Sequence, residues 1–371
     1  MRPGGGDHHA HDPAADQLPL FVGGLVGQKF LEIVEGHILL TPVRTIHERL
    51  ASTIATLCSV RPKSGFNPMP KIFIDGEAGT TGLEIRERLA GRADLTLVSI
   101  APQQRKDAAA KSELLSSVDV AVLCLPDEAA KETVALCDAL GERAPRVLDA
   151  STAHRVAPGW VYGFPELCPR QAEAIAKAAR VANVGCYASA AIALLRPLVD
   201  AGLIPPDSPL TINAVSGYSG GGRQMIEAYE SGAATAFELY ALGLEHKHLP
   251  EIMAYGKLTV RPLFVPSVGN FKQGMLVCVP LHLDALPARP IGADLEAALA
   301  AHYRGQKHVR VAPAPASGRL DALALNGTND MEIFVFANEA RRQAVLVARL
   351  DNLGKGAAGA AVQNLALMLG G

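Results

Sequence analysis

The stretch KIFIDGEAGTTGLEIRERLAGRADLTLVSI, residues 71–100, constrains the fold more than any other part of the chain. An apolar run (71–76) reaches a glycine-rich turn, an amphipathic helix is expected over 81–92, and a second apolar run fills 95–100. Strand, tight loop, helix and strand make the unit of a parallel sheet, because parallel neighbours need a crossover between them. The unit recurs. VDVAVLCLP (118–126) is nearly all apolar, as a strand buried on both faces should be. The helix EAAKETVALCDAL and the strand RVLDAS (146–151) follow it. The alternation predicts an α/β protein with a doubly wound, Rossmann-type parallel sheet.

Glycines 76, 79 and 82 form G-x-x-G-x-x-G between that first strand and helix. Glycine permits the tight turn and lets backbone N–H groups approach a pyrophosphate, which the helix N-terminus then stabilises. The spacing differs from G-x-G-x-x-G, and a plain strand-to-helix turn also uses glycine. The strand–loop–helix setting favours a dinucleotide, held by Gly76, Gly79, Thr80, Thr81 and Gly82. An NAD site usually carries Asp or Glu at the end of the second strand. Here that end reads Ser99-Ile100-Ala101, with Arg105 and Lys106 beyond, while Asp94 lies at the other end. A hydroxyl plus cations suits the extra phosphate of NADP(H); a solvated loop would also carry these residues.

After Cys186 the texture changes. PLTINAVSGYSG, GMLVCVPLHL, MEIFVFAN and QAVLVARLDNL read as longer strands with few helices between them. They imply a second, α+β domain on a mixed or antiparallel sheet, and GKGAAGAAVQNLALMLG (354–370) closes the chain as an Ala-rich helix. The expected division is an N-terminal extension over 1–68, a dinucleotide domain over 69–185, a catalytic and dimerisation domain over 186–345, and a returning C-terminal segment over 346–371. Residues 1–20 are rich in Gly, Pro, Asp and His and should be disordered. His8, His9 and His11 there fit a solvated tail better than a metal site. Residues 21–60 hold apolar material for a short strand or helix, 61–70 reads as a linker, and Met69 is a candidate natural start.

The net charge of −2 supplies no basic field for nucleic acid or an acidic membrane. The apolar runs are too short to span a bilayer. Six cysteines without C-x-x-C pairs or a secretory leader suggest reduced cytoplasmic thiols.

Cys186 stands out among them. In ARVANVGCYASAAIALL an apolar approach reaches Gly185, then Cys186, then a segment of helical character. A cysteine at a helix start can be a nucleophile whose thiolate the free N–H groups and macrodipole favour; a small buried hydrophobe is the alternative. Elsewhere, LEHKHLPEI (244–252) offers His246, His248 and Glu251, with Pro250 suited to the first turn of a helix. SGYSGGGR (216–223) is a Ser/Gly loop whose exposed N–H groups and Arg223 suit phosphate or an oxyanion, with Ser216 and Gly217 at its start; a glycine-rich hinge would read the same. In DASTAHR, residues Ser151, His154 and Arg155 follow a strand C-terminus, where α/β sites gather. Cys124, Cys137 and Cys278 sit in apolar patterns and read as structural.

In this order, KIFIDGEAGTTGLEIR, LCLPDEAA, LDASTAHR, YGFPEL, NVGCYASA, SGYSGGGR, EHKHLPEI and DNLGKGAAGAAVQN resemble the short, type 2 variant of the N-acetyl-γ-glutamyl-phosphate reductases of arginine biosynthesis. The resemblance covers about residues 69–371. It implies the fold of the aspartate-semialdehyde and glyceraldehyde-phosphate dehydrogenases, NADPH as reductant, Cys186 as nucleophile, a small acyl-phosphate substrate and a homo-oligomer. It also implies His248 as acid/base, from its H-x-x-x-I spacing to Ile252, with His246 touching substrate and Glu251 orienting a histidine or binding substrate. Arg155 becomes a substrate-carboxylate candidate, and Asn352, ahead of Lys355 and Gly356, would reach the nicotinamide amide. No metal is needed for this chemistry. The rival expectations are a sister reductase for aspartyl or aminoadipyl phosphate and an NADP-binding sensor without catalysis.

Overall fold

A computed structural model describes residues 25–26, 29–34, 37–42 and 69–370. The expectations for residues 1–20, including His8, His9 and His11, and for most of the linker lie outside the described residues. In the N-terminal stretch β1 (Leu25–Val26), β2 (Lys29–Val34) and β3 (His37–Pro42) form a three-stranded antiparallel sheet of their own.

The runs expected to be buried strands pair in parallel. The sheet contains β4 (Lys71–Asp75), β5 (Thr96–Val98), β6 (Val120–Leu123), β7 (Arg146–Asp149), β8 (Val161–Gly163) and β9 (Arg180–Asn183), in the order β5-β4-β6-β7-β9-β8. Helices α1 (Thr80–Leu89), α2 (Ala108–Ser116), α3 (Asp127–Ala139) and α4 (Gln171–Lys177) supply the crossovers. Alternation along β4 feeds two cores. Ile72 and Ile74 pack with Val120, Val122 and Leu148 on one face, and Phe73 with Ala121, Leu123 and Val147 on the other. Each large apolar side chain so buried is worth roughly 1.5–3 kcal/mol. Because β5 and β6 flank β4 on opposite sides, the chain switches direction at its C-terminal end, and the glycine loop sits there.

The second layer is a seven-stranded mixed sheet of β10 (Thr211–Gly217), β11 (Phe237–Leu239), β12 (Leu263–Gly269), β13 (Met275–His282), β14 (Val309–Val311), β15 (Met331–Asn338) and β16 (Gln343–Leu350), in the order β11-β12-β10-β13-β16-β15-β14. Its inner face covers α5 (Cys186–Asp200). The small residues of α5 (Ala188, Ala190, Ala191 and Ala193) let it approach the strands closely and are fully buried.

More helix lies between these strands than the sequence suggests. Besides α7 (Leu249–Gly256), the chain forms α6 (Gly222–Glu230) and α8 (Gly292–His302). The glycine run before α6 and the Pro290-Ile291-Gly292 stretch at α8 read as loop, yet glycine at a helix start costs little, and the residues that follow carry the helix. The expected boundary after 345 falls within β16, whose pairing with β13 and β15 keeps it in this sheet to Leu350. The last segment opens as a π-turn, Gly354–Ala358, before α9 (Gly359–Leu369). Ala361, Leu365 and Met368 of α9 pack into the β4 core, so the chain's end returns to the first sheet.

Candidate active site

Gly76 begins the loop after β4 in the left-handed region (φ 90°), and a Cβ there would overlap the Cys124 carbonyl. Its carbonyl accepts the Gly79 N–H at 3.0 Å, closing the turn. Gly79 precedes α1 with no side-chain cap, so the helix's first N–H groups are free for an anion. Thr80 and Thr81 face two adjoining clefts, and Gly82 is buried in the first turn of α1. These features fit a dinucleotide pyrophosphate.

Beyond β5, the Ser99 hydroxyl donates to Glu77 Oε2 at 2.8 Å and accepts from Arg86 at 3.0 Å. Arg86 also pairs with Glu77, and Arg105 reaches the same carboxylate at 3.3 Å. Two guanidiniums share one carboxylate, leaving positive charge beside Ser99. Sequence reading missed Arg86 and Glu77. Arg86 lies one helical turn past Gly82 on α1, and that spacing would have pointed it back toward the loop.

The larger cleft, about 310 Å³, runs from Thr80 and Thr81 to Cys186, His246, Lys247 and His248. Cys186 is the first residue of α5, and Gly185 ahead of it is a crossing point. A Cβ at Gly185 would overlap Arg155 Nη1 and Glu251 Oε1 and lie 2.6 Å from His248 Nε2. Only glycine lets these three groups meet beside the cysteine. Gly356 of the π-turn does the same from behind, because its Cβ would lie 2.8 Å from Cys186 Cβ.

Glu251 is almost fully buried. It accepts Arg155 Nη1 at 2.6 Å, the Tyr162 hydroxyl at 2.7 Å and the Gly185 N–H at 3.2 Å. Its approach to His248 Nε2 is 4.0 Å. Glu251 therefore grips Arg155 and the turn before Cys186 more directly than it orients a histidine. Tyr162, in a motif quoted without a role for it, completes this grip and stacks on Tyr255 at 3.8 Å.

His248 caps α7 and is buried, and its Nδ1 has no partner among the described residues. Burial, and then the nearby Arg155 charge, hold its pKa well below the ordinary value, so the imidazole is neutral. His246 Nδ1 accepts the His248 N–H at 3.1 Å, which leaves His246 Nε2 as its N–H in the neutral ring. Burial lowers His246 to about 4. Both rings pack against Tyr187.

The cysteine departs from expectation. The Tyr187 N–H, Arg155 and Lys247 all favour its thiolate, but burial outweighs them and pushes the Cys186 thiol up. The helix start alone does not hold it as an anion. Cys124 is pushed further, to about 12, by burial and by Asp149 and Asp75.

The Ser/Gly loop also differs. The N–H groups of Gly217, Tyr218 and Ser219 donate to carbonyls of Gly274, Phe271 and Lys272, so they are not free for an anion. The Ser216 hydroxyl lines the cleft and donates to Gly217 O at 3.0 Å. Arg223 sits in the first turn of α6 and donates to Ala78 O at 2.8 Å, toward the glycine loop. Asn352 lines the cleft, donates to Ser219 Oγ at 2.8 Å and accepts the Gly274 N–H at 2.9 Å. Ser151 and His154 turn away to Asp149, at 2.7 and 2.6 Å. Among the described residues no cluster of His, Cys, Asp and Glu is arranged to hold a metal, and no helix is long and apolar enough to cross a membrane.

Comparison with known proteins matches residues 71–177 to the semialdehyde dehydrogenase NAD binding domain and 186–352 to the semialdehyde dehydrogenase dimerisation domain. The N-acetyl-gamma-glutamyl-phosphate reductase of Chelativorans sp. (strain BNC1) is 56% identical over 308 residues, covering 81% of this chain and 98% of that relative. A Pseudomonas putida protein, N-acetyl-gamma-glutamyl-phosphate reductase 2, is 52% identical over 307 residues, covering 81% and 97%. Among solved structures, Vibrio cholerae aspartate semialdehyde dehydrogenase II complexed with ASA superimposes with a TM-score of 0.61 at 15% identity, covering 82% of this chain and 99% of that one. The Candida albicans aspartate semialdehyde dehydrogenase with NADP gives 0.56 at 14%, covering 81% and 98%. At such identities the likeness is one of fold.

Proposed function

The chain belongs to the N-acetyl-gamma-glutamyl-phosphate reductase family, and on that membership we propose that it reduces N-acetyl-glutamyl 5-phosphate to the 5-semialdehyde and phosphate in arginine biosynthesis, carrying the acyl group on Cys186. The observation that carries this reading is the meeting of His248, Arg155 and Glu251 at Gly185, beside a cysteine in a cleft continuous with the glycine loop.

The roles we assign rest on this geometry. Neutral His248 takes the thiol proton as the acyl phosphate arrives, because its depressed pKa leaves the ring a free base. The Cys186 sulfur bonds to the acyl carbon, and the C–O electron pair leaves with phosphate, which takes a proton from water to become the dianion, so a thioester remains on the protein. The Tyr187 N–H stabilises the sulfur anion before attack and after the product is expelled. Bound nicotinamide supplies the hydride that the thioester accepts. His248 then returns its proton as the thiol is released. Glu251, spent on Arg155, Tyr162 and the Gly185 N–H, fixes the turn on which the nucleophile stands. Arg155 faces the cleft and is the candidate for a substrate carboxylate, with His246 contacting substrate beside it.

Arg86 and Arg105 beside Ser99 favour NADP(H) over NAD(H), since two cations and a hydroxyl suit a 2′-phosphate. The glycine loop is the candidate for the pyrophosphate, and Asn352, which lines the cleft, is the candidate for the nicotinamide amide. We take the chain to be a cytoplasmic homo-oligomer, a dimer or tetramer, with a cofactor domain over 69–185 and a catalytic and dimerisation domain from Cys186.

The reverse reaction tests the function: semialdehyde, inorganic phosphate and NADP+, followed by NADPH absorbance. Wild-type protein should turn over, with arsenate able to replace phosphate. Cys186→Ala should lose more than about 10⁴-fold in rate while binding NADP+ normally. Retained turnover in that variant would remove the covalent route. Preference for aspartyl or aminoadipyl phosphate in the forward direction would reassign the substrate.

A further inference from the structure

Breaking an acyl phosphate leaves a dianionic phosphate beside Cys186, and something must hold it. Resting on the functional reading above, we propose that Lys247 is the phosphate-holding cation of this site. The more obvious candidates are engaged elsewhere. Ser/Gly loop N–H groups 217–219 are tied to the 271–274 turn. Arg223 is directed at Ala78 O and lines the cofactor-side cleft, away from the cysteine. Arg155 does face the cleft, but it is the candidate for the substrate carboxylate, and the buried Glu251 carboxylate at 2.6 Å already takes part of its charge.

Lys247 lines the same cleft as Cys186 and the two histidines, on the segment that enters α7. Among the described residues no carboxylate is within ion-pair distance of its ammonium. The carboxylates of its own segment are taken, Glu245 by Arg261 at 2.5 Å and Glu251 by Arg155. Asp127, which feels its charge, is already bonded by the Thr152 N–H and hydroxyl. A lysine free of a counter-ion, exposed to solvent at the cleft and acting on the cysteine, is a point charge awaiting an anion. As the acyl C–O bond breaks and its electron pair moves onto the phosphate oxygen, the ammonium offsets that charge. In reverse it delivers phosphate oxygen to the thioester on Cys186.

The test is the KM for inorganic phosphate in the reverse reaction. Lys247→Met should raise it about tenfold or more, the size of one lost charged hydrogen bond. Lys247→Arg should restore it to within about threefold, and the NADP+ dissociation constant, read by fluorescence titration, should be unchanged in both. An unchanged phosphate KM in Lys247→Met, with wild-type turning over, overturns the assignment and leaves the functional reading intact. A phosphate KM that rises equally in Lys247→Arg overturns it too, because it makes the position steric. Absence of reverse turnover in wild-type protein overturns the functional reading itself.

Discussion

A cysteine nucleophile is usually sought as a pre-formed thiolate, but Cys186 and His248, which line one cleft, both start uncharged. Burial raises the thiol and lowers the imidazole, so at neutral pH the proton sits on sulfur and the ring is free. A raised thiol pKa means less thiolate at any given pH. Iodoacetamide should therefore label Cys186 slowly at pH 7 in the ligand-free protein, and the rate should climb through pH 9, above the ordinary thiol midpoint of about 8.5. A labelling rate that levels off below pH 8 would mean that Tyr187, Arg155 and Lys247 prevail over burial. The sequence pointed to the cysteine and to both histidines, because each sits in a distinctive local pattern. It could not show the sign of the thiol's shift, which depends on how much protein closes around the sulfur. Nor could it show that Gly185 is the meeting point, since Arg155 and Glu251 are 96 residues apart in the chain.

At the scale of elements, the parallel strands and α1 were legible, since apolar runs and glycine punctuation are local signals. Helices α6 and α8 were not, because their starts look like loops. The π-turn was hidden within an alanine-rich run that reads as continuous helix. What holds that turn is a buried network. Lys355, fully buried, donates to both Glu166 oxygens at 2.8 Å and to Gln363 Oε1 at 2.7 Å, and Gln363 donates back to Glu166 at 2.9 Å. The network ties the π-turn, whose Gly356 backs Cys186, to the chain after β8 and to α9. Stranding one charge of such a pair costs about 3–5 kcal/mol, whereas replacing both by apolar residues can be nearly neutral. Glu166→Leu and Lys355→Met should each lower the urea midpoint sharply, and the double variant should regain most of the loss. Additive losses in the double variant would show that the ion pair is incidental to packing. Slower turnover with an unchanged NADP+ affinity in the singles would tie the turn to the cysteine rather than to the cofactor loop.

Over the whole molecule, the mixed sheet has one face accounted for and one not. On β13 the residues Met275, Val277, Val279 and Leu281 enter the core around α5, and on β16 Ala344, Leu346, Ala348 and Leu350 do the same. Strand alternation sends the intervening residues to the other side. Cross-strand register sets Pro280, Val345 and Phe336 in one open row there, while Val347 and Phe334 in the next row are already buried within the chain. Val345 is 36% exposed at the middle of three strands, and Leu263 on β12 is 53% exposed. An apolar row at a sheet centre is costly to leave in water, and sheets with one solvated face normally place polar residues there. A second copy of the chain, set sheet to sheet about a two-fold axis, would cover it, and its isologous contact would bring Val345 near its own counterpart. Sedimentation at micromolar concentration should give a dimer or larger for the wild type. Val345→Lys should shift it to monomer with unchanged circular dichroism, because two copies of a desolvated ammonium would meet at the interface. If the variant sediments with the wild-type assembly, the copies meet on another surface. If the wild type is itself a monomer, this face is exposed in solution and the assembly is wrong.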